Sequence, residues 1–167
     1  MSKNRLSVAI FLLFFIKSNA QVTMQKVKEL IICKDSTSVD PWEEKIRSGL
    51  KDLREKGLDT SGLGLAFTNN FFYEVIFTHS NDKAILKKSI KWMGQVVKLS
   101  PCDQVNLDTY ANLYYKLGNK KKAIAIEERA IRIENEKSIK EHRKPDNVFK
   151  ETVDKMYNNQ PTWPTAD

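Results

Sequence analysis

Leu107–Asn135, LDTYANLYYKLGNKKKAIAIEERAIRIEN, reads as one helix, a tight turn and a second helix, and the fold follows from it. Leu107, Tyr110, Ala111, Tyr114 and Leu117 recur at spacings of 3, 1, 3 and 3, which puts them on one face of a helix about three turns long. Gly118 stops that helix, because glycine takes the left-handed backbone conformation that closes a C-terminus without steric penalty, and Asn119 is the next most tolerant residue there. A second apolar stripe follows at Ala123, Ile126, Ala130 and Ile133. Alanine at 123 and 130 lets two antiparallel helices approach closely, and a bulky residue at either position would push them apart.

The pattern Tyr114, Leu117, Gly118, Ala123, Ala130 resembles a tetratricopeptide repeat, a helix-turn-helix unit of about 34 residues with large, large, turn, small and small residues at those places. Leu107 stands where that family favours Trp, Tyr110 where it has Leu, Ala111 where it has Gly and Asn135 where it has Pro, so the repeat is degenerate. One repeat cannot bury its own apolar face, so a second is expected. Counting back about 34 residues carries Ala123, Ala130 and Asn135 onto Ser89, Val96 and Pro101, and the period holds for the second helix. It fails for the first, since Tyr114 maps onto Ser80 and Gly118 onto Ala84. The apolar run Phe67, Phe71, Phe72, Val75 and Ile76 is therefore the expected first helix of a distorted earlier unit, with a longer turn at Thr78–Asn81. The expectation is an all-α fold of about two degenerate repeats with flanking and capping helices over residues 40–158.

Upstream, Lys3 and Arg5 precede an apolar run from Val8 to Ile16, and Ser18-Asn19-Ala20 offers a small-residue cleavage site, the layout of a secretory signal peptide over residues 1–20. The run is shorter than the roughly 20 residues a membrane span needs. A periplasmic or secreted location is expected, with no stable membrane insertion after cleavage. Cleavage removes Lys3, Arg5 and Lys17 and no acid, so the formal charge falls from +7 to +4. With Lys and Arg interspersed among Asp and Glu, that mild excess does not point to nucleic acid. The Lys120-Lys121-Lys122 run reads as a solvated turn.

Residues 21–39 form an N-terminal segment and linker, with Val27, Leu30 and Ile31 at the spacing of a short helix. Asp40-Pro41 opens a clearer helix, with Glu43 placed to complete a capping box and Trp42, Ile46, Leu50 and Leu53 on its buried face, ending at Gly57. Leu58–Leu65 is read as a joint, and Asn81 or Asp82 starts a helix carrying Ile85, Leu86, Ser89, Ile90, Met93, Val96 and Val97 until Ser100-Pro101 ends it. Trp92 is placed in a seam between helices. Phe149, Val153, Met156 and Tyr157 mark a last helix that covers the open end of the core. Residues 159–167 hold Pro161, Trp163 and Pro164 and cannot be helical; Trp163 is either a staple packed back on that last helix, the preferred reading, or a short recognition element.

The segments NNFFYEVIF, SNDKAILKKSIKWM, LDTYANLYYKLG and DKMYNNQPTWP resemble the helical C-terminal extension of some bacterial exported thioredoxin-family proteins, over roughly the last 100 residues. The resemblance implies a helical module and an exported location. The Cys-x-x-Cys pair on which thioredoxin chemistry depends is absent from the sequence, so redox activity is not implied.

Cys33 and Cys102 either pair as a disulfide tying the N-terminal segment to the turn between repeats, or stand as separate thiols. His79 and His142 have no ligand-type neighbours at metal spacing and read as surface residues. Glu127-Glu128-Arg129 reads as surface ion pairs. No phosphate loop, nucleophile elbow or metal-helix motif occurs, so no catalytic residue, metal or cofactor is expected. The expected function is an exported, non-enzymatic module that binds a partner protein or peptide in a groove lined by Val105, Asp108, Asn112, Tyr115 and Lys116, the groove-facing positions of the repeat family. An aromatic face, a cation and an amide suit an extended peptide or a carboxylate. The alternatives are an accessory subunit of an exported thiol-disulfide oxidoreductase and a divergent oxidoreductase using Cys33 or Cys102.

Overall fold

A computed structural model describes residues 40–165, which form six helices and no strand, so the fold is all-α. The signal peptide, the segment with Val27, Leu30 and Ile31, and Cys33 with its pairing to Cys102 lie outside the described residues. Among the described residues no helix is long and apolar enough to cross a membrane.

Helix α1 spans Pro41–Lys56, with the Asp40 carboxylate accepting from the Trp42 amide and Gly57 closing the far end at a φ of 78°. The capping box does not form: the Glu43 carboxylate turns outward to Arg47, 3.0 Å away. Of the expected buried face only Ile46 is fully enclosed, while Trp42, Leu50 and Leu53 are half-buried. Gly49 is needed for a close approach, because a Cβ there would lie 2.3 Å from the Phe71 ring.

Helix α2 begins at Gly62, inside the expected joint, where the Ser61 hydroxyl accepts from the Gly64 amide. It runs to Asn70 and continues without a break as a π-helical stretch, Phe71–Phe77. A π turn takes up one more residue than an α turn and rotates the following side chains. Phe72, Ile76 and Phe77 consequently all point inward, whereas Phe67, expected on the buried stripe, is 66% exposed. An α-helical spacing rule has no means of anticipating that register shift.

Helix α3, Lys83–Leu99, is capped by Asp82, which accepts from the amides of Ala84 and Ile85, and buries Leu86, Ser89, Ile90, Met93, Val96 and Val97 as its spacing requires. Helix α4, Gln104–Lys116, and helix α5, Lys120–Lys140, form the central hairpin. Leu117-Gly118-Asn119 joins them, with the Gly118 amide donating to the Tyr115 carbonyl and the Asn119 amide to the Tyr114 carbonyl, both at 2.9 Å. Gly118 has a φ of 92°, the left-handed conformation this closure requires. Ala123 and Ala130 are wholly buried in the seam, as their small size permits. Helix α5 does not stop at Asn135 but runs on to Lys140, burying Glu134 and Ser138.

Helix α6, Val148–Tyr157, packs on α5 through Phe149, Val153 and Met156. The core passes from α1 through the π stretch to α3 and α4, then on to α5 and α6: Phe72, Ile76, Met93 and Leu113 share one cluster, Val97, Leu107, Ala130 and Phe149 the next, and Ala111, Ala123 and Met156 the last. Each helix buries its face mainly against its neighbours in the chain.

Candidate peptide-binding platform

The last turn of α4 and the end of the π stretch meet and present Tyr115, Lys116 and Phe77 together. Lys116 donates to the Phe77 carbonyl, which fixes its ammonium 5.5 Å from the centre of the Phe77 ring. Onto this platform folds the segment after α6. The Tyr115 hydroxyl donates to the Gln160 carbonyl at 3.0 Å. Trp163 stands edge-on to Phe77 at 6.2 Å, lies 6.0 Å from the Tyr115 ring and receives the Lys116 ammonium 5.3 Å over its face. Such a cation–π contact, partly shielded from water, is worth about 1 kcal/mol. Burial pushes the Lys116 ammonium below its usual pKa and the Tyr115 hydroxyl above its own.

Trp163 is thus a staple, but on the π stretch and α4 rather than on α6. The Asn158–Gln160 corner is pinned by Lys120, whose ammonium donates to the Tyr157 carbonyl and to Asn159 Oδ1 at 2.9 and 2.7 Å. Lys122 donates to the Tyr114 hydroxyl at 2.7 Å. Two members of the basic run expected to be a solvated turn therefore tie elements together.

The five residues expected to line one groove are divided among three environments. Tyr115 and Lys116 lie under the tail. Val105 is exposed at the opposite end of α4, beside Cys102, Gln104 and Lys137 on a separate shallow cavity of about 460 Å³. Asn112 is not available to a ligand at all: it is 2% exposed and its amide donates to the carbonyl and to Oδ1 of Asp108.

Glu127, expected at the surface, is wholly buried against Asp108, and no donor group of another residue type reaches either of its carboxyl oxygens. Burial pushes both carboxyl groups up from their ordinary pKa, and for Glu127 the Asp108 charge adds to the effect. Two carboxyl groups so placed hold a proton between them at neutral pH more readily than either would in water. A second acid of α5 is buried as well. Glu134, buried, accepts from Arg143, Ser138, Gln104 and the Asp146 amide, which holds its carboxyl down at about 2.

No family model, curated protein or solved structure matches the chain.

Its own geometry is therefore what describes the site. Phe77 and Glu127 are not among the expected site residues, and the sequence carries a usable signal only for Glu127, which stands four residues after Ala123 and three before Ala130 on the same helix face. The Pro-flanked Trp163 marks a segment that cannot be helical and needs an aromatic surface to lie on. Glu128 falls off the face of Ala123 and Ala130, so helical spacing rather than composition separates the two acids. His79 is exposed as expected, yet its ring stacks on Trp42 at 3.5 Å and burial lowers its pKa. Among the described residues no group of three or more His, Cys, Asp or Glu side chains could hold a metal ion.

Proposed function

We propose that this chain is an exported, non-catalytic protein-interaction module that grips an extended, Pro- and Trp-containing segment of a partner protein on the Phe77–Tyr115–Lys116 platform. The observation that carries the reading is the seating of the chain's own Gln160–Pro164 stretch there, with a backbone carbonyl on Tyr115 and the indole of Trp163 against Phe77, Tyr115 and Lys116. Proline fixes φ in advance, so such a segment loses little conformational entropy on docking. Tryptophan supplies the large contact area. A partner segment of the same chemistry competes with the tail for the platform. The antiparallel α4–α5 hairpin closed at Gly118 and packed through Ala123 and Ala130 supports counting it as a degenerate tetratricopeptide-like repeat.

A specific feature favours a second, narrower reading. Phe77, Tyr115, Lys116 and Trp163 all come from the segments that resemble the extension of exported thioredoxin-family proteins. The partner would then belong to an exported thiol-disulfide system, with this chain as its accessory subunit; co-purification of a redox-active protein with the tagged chain tests that narrower form.

The general form is tested with the full chain carrying Trp163→Ala and a synthetic peptide of residues 158–165, NNQPTWPT. The peptide is expected to bind the variant and not the parent, whose platform is occupied. Adding Tyr115→Ala should weaken binding about tenfold, the loss of roughly 1.4 kcal/mol that one hydrogen bond and one aromatic contact supply. No binding to the Trp163→Ala chain, or undiminished binding after Tyr115→Ala with the helical signal intact, would overturn the proposal.

A further inference from the structure

A second surface, remote in the sequence from the platform, lies between α1 and α3. Side chains of both helices line a groove of about 550 Å³. Its walls carry Ile46 and Leu50 from α1 and Ile85 and Trp92 from α3. Apart from Ile46 these side chains are only half-buried, so the described residues leave an apolar strip without a full covering. Along the same groove stand Arg47, Lys51 and Arg54 on α1 and Lys88 on α3. Among the described residues the only acid lining it is Glu43, already held by Arg47 at 3.0 Å. Lys51 and Lys88 form no ion pair with any described residue, and Arg54 reaches Glu55 only at 3.9 Å.

From this arrangement we infer that the groove docks an acidic amphipathic helix of a partner protein, apolar face inward and carboxylates along the α1 side. The distribution of charge selects that occupant. Arg47, Lys51 and Arg54 are spaced by 4 and 3, a line that follows α1 for two turns. An anionic lipid or fatty acid has one headgroup and would call for cations gathered at one end. A helix with acids at matching spacing meets the whole line while its apolar residues enter the strip between Leu50 and Trp92, the usual helix-in-groove mode. Residues 21–39 do not supply the complement, since Lys26, Lys28 and Lys34 outnumber Glu29 and Asp35 there.

The test uses the full chain and two synthetic amphipathic peptides of about four turns, identical on their Leu face and bearing Glu or Lys on the flanks, with binding read by fluorescence anisotropy of a label on the peptide. The Glu peptide is expected to bind and the Lys peptide not, with affinity falling as salt is raised. Lys51→Glu with Lys88→Glu, both exposed positions, should weaken the Glu peptide at least about tenfold and leave the circular dichroism spectrum unchanged. Tyr115→Ala should leave this binding unaltered, which separates the groove from the tail platform. Absence of binding by the Glu peptide, equal binding of the two peptides, or indifference to the double charge reversal would overturn the assignment.

Discussion

Glu127 carries the largest local conflict in the molecule. It is fully buried, and the group its carboxyl meets is another acid, Asp108, so the two are held only by sharing a proton. The folded chain therefore keeps a proton that the unfolded chain releases above the ordinary carboxyl range near pH 4. Because the folded-state pKa values of Asp108 and Glu127 are raised, this pair's contribution to stability is complete in acid, below the ordinary carboxyl range, and is lost as pH climbs from that range through the raised folded-state values. Glu127→Gln should remove most of the decline and stabilise the protein at mildly alkaline pH by roughly 1–3 kcal/mol, the penalty of an unsatisfied buried group. Thermal unfolding of parent and variant across pH checks this, and parallel profiles would count against it. Helical spacing puts Glu127 on the face of Ala123 and Ala130, but its meeting with Asp108 follows only when α4 and α5 pack.

At the scale of elements, the corner between α5 and α6 depends on Glu134. Its carboxylate receives Arg143, Ser138, Gln104 and the Asp146 amide, so one side chain joins α4, α5 and the loop that leads into α6. Here the shift is downward, to about 2, and the sign of the linkage reverses. The contribution is complete above the ordinary glutamate pKa and is lost as pH falls from there towards about 2. Glu134→Gln should lower the thermal midpoint at neutral pH and flatten its fall in acid, and scans of both proteins down to strongly acidic pH would reveal it. Helix starts were easier to read than this corner. Asp40, Asp82 and Gly118 act where local chemistry placed them, since a cap satisfies the backbone of its own helix and needs no distant partner. The π stretch was invisible because its extra residue per turn is held by the packing of Phe72, Ile76 and Phe77, and apolar residues are too dense there for spacing to choose a register.

Taken whole, the molecule is a chain of helices of unequal anchorage. Helix α1 buries only Ile46 fully and meets the rest mainly along the π stretch, whereas α4 is enclosed by the π stretch, α3 and α5. Local opening should follow that order. Hydrogen exchange is expected to be faster in α1 than in α3, α4 and α5, and uniform protection would contradict it. Occupation of the α1–α3 groove by an acidic helix should raise protection in α1 specifically. The tail works at the same scale, bringing Gln160 and Trp163 onto Tyr115, Lys116 and Phe77 across long separations in the chain. By itself the sequence determined the all-α class, the caps at Asp40 and Asp82, the Gly118 turn and the small residues of the α4–α5 seam, because each rests on neighbours within a few turns. Tertiary structure alone decided that the tail covers the platform, that Asn112 is interior, that Glu127 meets Asp108, and that a basic groove lies between α1 and α3. Those outcomes depend on which faces meet across the fold, and side-chain burial there is a property of the contact rather than of the residue.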